Sequence, residues 1–250
     1  LKMIKFTKYH TAYIDSIDHK NVVILVHGLG MSHKMWNAQI RELSKNYRVI
    51  AYDLLGHGQS LDPKGNIDLN LFSKQILEIT DNLEINHFGL IGFSLGGMIV
   101  RKFAIRYSDK LWALGILNSP YIRNKEATML VQKRVDQVRQ FGPEVTVNDA
   151  IERWFTKNFQ KKNPDFIELV KSWILSNNKE VYSKIYQLLV DGVQELQGLE
   201  LPINCPTLVM TGDHDFGNSP KMSEQIASQI KNSKLVILKG LKHMALAEDA

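Results

Sequence analysis

HFGLIGFSLGGMIVRKFA, residues 87–104, contains the turn on which the reading of this chain depends. An apolar run with strand character ends at Phe93, one serine follows, and the apolar spacing then becomes helical. Gly92-Phe93-Ser94-Leu95-Gly96 is therefore a G-x-S-x-G sequence set between a strand and a helix. So sharp a corner forces the serine backbone into a strained conformation, and the residues two positions to either side must be minimal. In return the hydroxyl stands exposed at the carboxyl end of a strand. The helix that begins after it directs free N–H groups at any oxyanion formed there. Ser94 is the candidate nucleophile; the bland alternative is a structural turn. Phosphate-binding readings fail. His33 stands where a dinucleotide fingerprint after Gly28-Leu29-Gly30 needs its third glycine, and Met98 follows Gly96-Gly97 where a P-loop needs lysine.

Around this corner, short apolar runs alternate with helical periodicity. NVVILVHG, YRVIAYDLLGHG, HFGLIGF, LWALGILNS, PTLVMTGDHD and KLVILKG read as buried strands. Helices are expected near 35–44, 69–83, 95–107 and 219–230, with Asp68 placed to cap the second. Near-continuous apolar strands separated by helices imply an α/β fold, a mostly parallel, doubly wound sheet covered on both faces. Ligands of such sheets bind at the carboxyl ends of the strands. From 119 to 199 the strand pattern lapses and four helical stretches follow one another. This segment is expected to be an inserted helical cap, with residues 1–118 and 200–250 forming the core. Its 12 Lys/Arg nearly balance its 10 Asp/Glu.

The bulk composition narrows the partners. A net charge of +5 favours an anionic small molecule but falls short of a nucleic-acid footprint. The longest charge-free apolar stretch, residues 88–100, has 13 residues, against the ~20 a membrane helix needs. The first residues lack the apolar core of a signal peptide. Cys205 is the only cysteine, which excludes an internal disulfide and a cysteine-based zinc site and fits a reducing cytoplasm. Beside Pro206 at a strand start, it reads as buried packing. No metal or cofactor is called for.

A serine nucleophile needs a base, and the base an orienting carboxylate. One late strand ends in Asp213 and Asp215, and the last ends toward His243. The order Ser94, Asp215, His243 is that of a hydrolase triad. Turn chemistry favours Asp215, which lies farther past the strand end, with Asp213 capping the turn. His57, in GHGQS, reads as a turn residue. His214 lies between two acids without a second ligand cluster, and His10, His19, His33 and His87 form no constellation.

Taken in order, HGLG with Trp36 following, YDLLGHGQS, GFSLGG, TGDHD and KHMALAED resemble the α/β-hydrolase superfamily over nearly the whole chain. Within it the chain is most similar to the 3-oxoadipate enol-lactonase and carboxylesterase group, through AIERWFTKNF and GMIVRKFAIRY. The resemblance implies an α/β-hydrolase fold, Ser94 as nucleophile, Asp215 as acid and His243 as base. It also implies oxyanion donors at the backbone N–H groups of Leu29 and Leu95. The activity it implies is hydrolysis of a small ester or lactone, anionic by preference. Alternatives that keep the triad are C–C bond hydrolysis, perhydrolysis, or ligand binding without catalysis. Departures are Leu241-Lys242 in place of an Ala-Gly pair, VYSKIYQLLVDG in the cap, and an end at Ala250 where the family continues into a helix. Together with a start at Leu1, that end leaves room for further chain. Trp154, Phe155, Phe159, Trp173, Tyr182 and Tyr186 are candidates for an apolar pocket, although aromatic stripes more often pack a core. Arg134, with Arg123 and Arg153, is a candidate to hold a substrate carboxylate.

Overall fold

A computed structural model describes residues 3–197 and 202–249. Eight strands form one sheet: β1 (Lys5–Phe6), β2 (Ala12–Asp15), β3 (Val22–Val26), β4 (Arg48–Tyr52), β5 (Phe88–Phe93), β6 (Leu111–Leu117), β7 (Thr207–Gly212) and β8 (Ser233–Leu238). Their spatial order is β1-β2-β4-β3-β5-β6-β7-β8. β3 to β8 pair in parallel, while β1 and β2 are antiparallel additions at one edge. The sequence pattern anticipates the six parallel strands and misses β1 and β2, which at two and four residues are too short to show a period.

The buried strands explain the layering. Every residue of β3 is buried, and β5 is nearly so. Helices α1 (Asn37–Leu43), α2 (Leu69–Asn82), α3 (Leu95–Tyr107), α9 (Pro220–Ser228) and α10 (Ala245–Glu248) belong to the parallel-strand part of the chain. Between β6 and β7 come five helices instead: α4 (Lys125–Phe141), α5 (Val147–Trp154), α6 (Lys157–Lys162), α7 (Pro164–Leu175) and α8 (Lys179–Glu195). Phe155, Phe159, Phe166 and Trp173 hold part of this segment together, with successive ring centroids 5.4–6.2 Å apart. Among the described residues, no helix is long and apolar enough to cross a membrane.

Strand order decides where a site can lie. The chain adds β4 on one side of β3 and then β5 on the other, so β3 and β5 flank a switch point. Val26 pairs with Gly92, Phe93 with Leu117, and Gly212 with Leu238. This register brings the residues just past each strand, namely His27 to Leu29, Ser94, Asn118, Asp215 and His243, to one end of the sheet. Helix α2 is capped by its own flanking side chain: Asp68 Oδ1 accepts the Leu71 N–H at 2.8 Å. Asp68→Ala is expected to lower stability by about 1 kcal/mol in urea denaturation, without touching the strand-end residues.

Candidate active site

Ser94 sits between β5 and α3 with φ 55° and ψ −114°, a left-handed conformation that costs a non-glycine residue of order 1–3 kcal/mol. Close packing sustains it. A Cβ on Gly92 would collide with the Gly96 carbonyl, and one on Gly96 with the Val26 carbonyl of β3. The Ser94 N–H is anchored to the Leu117 carbonyl of β6 at 2.8 Å.

Beyond β7, the Asp215 Oδ2 atom lies 2.7 Å from Nδ1 of His243, and both residues are buried. Asp215 has two further partners that the sequence did not reveal. Asn118 Nδ2 donates to Oδ2 at 3.0 Å, and the Asn218 N–H donates to Oδ1 at 3.0 Å. The two asparagines also brace each other, since Asn218 Nδ2 donates to the Asn118 carbonyl at 2.7 Å. Burial pushes the Asp215 carboxyl up, but the charge and hydrogen bond of His243, with the two asparagine donors, outweigh it and hold the group below its ordinary value. The only sequence sign of Asn118 is its place at a strand end, where φ is 48° and asparagine is tolerated. Asp213 instead accepts the Gly240 N–H at 2.8 Å, which fixes the turn after β8.

The loop carrying His243 is moored to the helical segment. Met244 N–H donates to the Trp154 carbonyl at 2.9 Å, and Thr156 donates to Glu248 through its N–H and its hydroxyl at 2.7 and 2.6 Å. The imidazole itself packs against Phe93, centroid to centroid 4.9 Å, and Trp154 at 5.9 Å.

A second polar network sets the turn after β3. Gly30 N–H donates to Nε2 of His57 at 3.0 Å, and Leu54 N–H donates to Nε2 of His27 at 2.9 Å. Both rings must therefore be neutral, with the proton on Nδ1, which faces the Leu55 carbonyl in His57 and the Gly28 carbonyl in His27. Behind them the fully buried Asp53 accepts from the N–H and Nδ1 of His33, at 2.7 and 2.8 Å, and from Gln59 N–H at 2.9 Å. The expectation that His33 joins no constellation is thus corrected. Twenty residues separate it from Asp53, and only the pairing of β3 with β4 brings them together. While the Gly28 carbonyl and Gly30 N–H are engaged, the Leu29 N–H has no acceptor among the described residues. The Leu95 N–H, at the first turn of α3, has no acceptor within its helix.

Ser94, Asp215 and His243 line one cavity of about 390 Å³, together with Leu29, Trp154 and Arg134. Tyr182, Tyr186, Arg123 and Arg153 line it too. Phe155 does not: it is fully buried in the aromatic stack with Phe159 and Phe166, and Trp173 extends the same cluster. Their rings face their neighbours within the segment because burying a ring against other rings removes more apolar surface than lining an open cavity. Cys205 is a buried free thiol, and its burial pushes the thiol up.

Comparisons with known proteins bear on the family and the fold. A family model described as alpha/beta hydrolase fold matches residues 21–250. The chain is 28% identical over 243 residues to (E)-2-((N-methylformamido)methylene)succinate hydrolase of Acinetobacter baylyi, covering 97% of this chain and 91% of that one. It is 27% identical to 3-oxoadipate enol-lactonase 2 of the same organism, covering 86% of this chain and 79% of the relative. Among solved structures, the enol-lactonase of Burkholderia xenovorans LB400 superposes with a TM-score of 0.84 at 23% identity, covering 98% and 94% of the two chains. The chain belongs to the α/β-hydrolase family.

The buried histidines predict an acid-sensitive fold. Burial, joined in His57 by repulsion from His27 once that ring takes a proton, lowers the folded values to about 4 for His27 and about 3 for His57, from 6.5. Above pH 6.5 both states are neutral there. As pH falls toward 4 the unfolded chain takes up protons that the folded chain refuses, and stability drops. The expected loss is roughly 1 kcal/mol per histidine for each pH unit below 6.5. Denaturant titrations between pH 4.5 and 7.5 measure it. His57→Gln, which keeps an acceptor for Gly30, should flatten the slope by about one proton.

Proposed function

We propose that this chain hydrolyses a small, anionic carboxylic ester or lactone through an acyl-enzyme on Ser94, like the enol-lactonase group it resembles. The observation that carries the reading is the 2.7 Å pair of Asp215 and His243, buried on the same cavity that Ser94 lines from its strained turn. Nδ1 of His243 is committed to Asp215, so Nε2 is the nitrogen free to take the Ser94 proton as Oγ attacks the carbonyl carbon. Asp215 fixes the tautomer and stabilises the imidazolium. The Leu29 and Leu95 N–H groups receive the oxyanion, one such donor being worth about 3–4 kcal/mol of barrier. Collapse of the tetrahedral intermediate expels the alcohol, protonated by His243. Water, deprotonated by the same imidazole, then attacks the acyl carbon and releases the acid and Ser94.

Residues 119–197 act as a cap in this reading, closing the cavity from above the strand ends and selecting the substrate, and the last two residues of the expected cap, 198 and 199, lie outside the described residues. The relatives support the substrate class. One is named for a lactone, one for a succinate derivative, and a thermophilic esterase of Thermogutta terrifontis, 25% identical with a TM-score of 0.85 over 99% of this chain and 93% of that one, is described as malate bound.

Labelling with a fluorophosphonate tests the reading. The wild-type protein should label, and Ser94→Ala should not. Asn118→Ala, which removes one donor to Asp215, should slow labelling by about 10- to 100-fold. A folded wild-type protein that neither labels nor turns over any ester or lactone would make the chain a binding protein. Preferential cleavage of diketones would change the bond cut.

A further inference from the structure

Three arginines converge on the cavity from separate elements: Arg123 from the loop before α4, Arg134 from α4 and Arg153 from α5. Among the described residues, none of them pairs with a carboxylate. Arg123 donates to two neutral acceptors, the Leu189 carbonyl at 2.8 Å and Asn218 Oδ1 at 3.2 Å. Arg134 has a buried Nε that finds no acceptor among the described residues. Burial lowers Arg123 to about 10 and lowers Arg153 as well, and in both the charge of Arg134 is the next cause, so Arg134 acts on both of the others. Asp149, Tyr182 and Tyr186 pull Arg153 the other way without forming an ion pair.

The carboxylates on the cavity wall form no ion pair with these arginines, although Asp215 pulls Arg123 up from a distance. Asp215 is committed to His243, and Glu152 is hydrogen-bonded to Lys157. Lys242, also on the wall, adds a further positive charge. Partly buried like charges raise the cost of the empty site, and that cost is recovered only when anions arrive. One carboxylate has two oxygens and is saturated by two guanidinium forks. The third guanidinium, Arg123, then has neutral acceptors but no counter-charge, so one carboxylate is too few.

We propose that the cavity is built for a substrate with two carboxylates, one held between Arg134 and Arg153 and the other by Arg123; the word substrate rests on the hydrolase reading above. The two positions are not equivalent. Arg123 reaches Asn218, whose N–H holds Asp215, so the carboxylate at Arg123 lies on the triad side of the cavity. The Arg134–Arg153 position lies on the helical segment. A diacid bearing the ester or lactone between its ends satisfies both positions, and the cavity volume of about 390 Å³ falls in the range of small-molecule sites.

The test uses Ser94→Ala protein, so that no probe is consumed, and isothermal titration at low ionic strength. The probes are succinate, glutarate and adipate, each with its monomethyl and dimethyl esters. At one chain length or more, the diacid should bind about tenfold tighter than the half-ester, and the half-ester tighter than the diester. Arg134→Gln and Arg153→Gln, checked for folding by thermal melting, should each bring the diacid down to the half-ester, while Arg134→Lys keeps part of the preference. Equal binding of diacid, half-ester and diester at all three lengths would overturn the proposal without any arginine variant. A preference that survives both glutamine variants would overturn the assignment as well. Fluorophosphonate labelling separates this from the hydrolase reading. A diacid preference in a protein that does not label leaves the anion site and removes the hydrolase; labelling without the preference does the reverse.

Discussion

The site depends on the contact between the turn at Ser94 and the carbonyl of Val26. Gly96 can lie against that carbonyl only because it has no Cβ, and Gly92 can lie under the Gly96 carbonyl for the same reason. Once the turn is that close to β3, the Ser94 side chain and the loop after Val26 must share one edge, and the free N–H groups of Leu29 and Leu95 belong to the two segments pressed together. The positive φ of Ser94 is the cost of this approach, and the parallel pairing of β3, β5 and β6 supplies the rigidity that sustains it. Moving either strand by one residue would carry the serine away from the turn it faces.

The parts of this design that are written in local sequence were legible. Strand runs, the glycines around Ser94 and the order of serine, acid and histidine are all patterns of neighbours, and the six parallel strands follow from them. The supports of the acid and of the turn after β3 are not. Asn118 and Asp215 lie 97 residues apart, and His33 and Asp53 meet only through the sheet. A histidine in a glycine-rich stretch looks the same whether it turns the chain or accepts a buried N–H. His57 does both, since it lies in the turn and its Nε2 receives Gly30. The aromatic residues of the helical segment pose the opposite problem. Phe155 and Trp154 are adjacent and equally apolar, yet one is sealed among rings and the other faces the cavity, because α5 ends at Trp154 and Phe155 follows in extended backbone, which aims its ring in another direction.

Electrostatics divides the molecule at the same boundary. Beneath the edge, burial strips charge: His27 and His57 are held neutral, and the buried Asp53 is matched by a web of donors. Above it, the cavity wall is mostly positive, with guanidiniums that are cut off from much of the solvent and form no ion pair with the wall's carboxylates. A floor of hydrogen-bonded dipoles under a mostly positive wall suits a reaction in which negative charge appears on a bound oxygen. The floor supplies oriented dipoles that need no counter-ion, and the wall raises the local potential for an anion.

These two halves are mechanically joined at one short stretch. Arg153, Trp154, Phe155 and Thr156 run consecutively at the end of α5. Arg153 reaches the cavity, the Trp154 carbonyl holds Met244 beside His243, Phe155 anchors the stretch in the aromatic cluster, and Thr156 is bound twice by Glu248. A displacement of α5 large enough to withdraw Arg153 from a ligand would also pull on the loop that positions the imidazole. Recognition by this arginine and placement of the base therefore cannot vary independently. The four residues 153–156 thus carry more of the site's geometry than their position outside the parallel-strand core suggests, and the reason lies in bonds to the main chain, which no substitution of a cavity-lining side chain would remove.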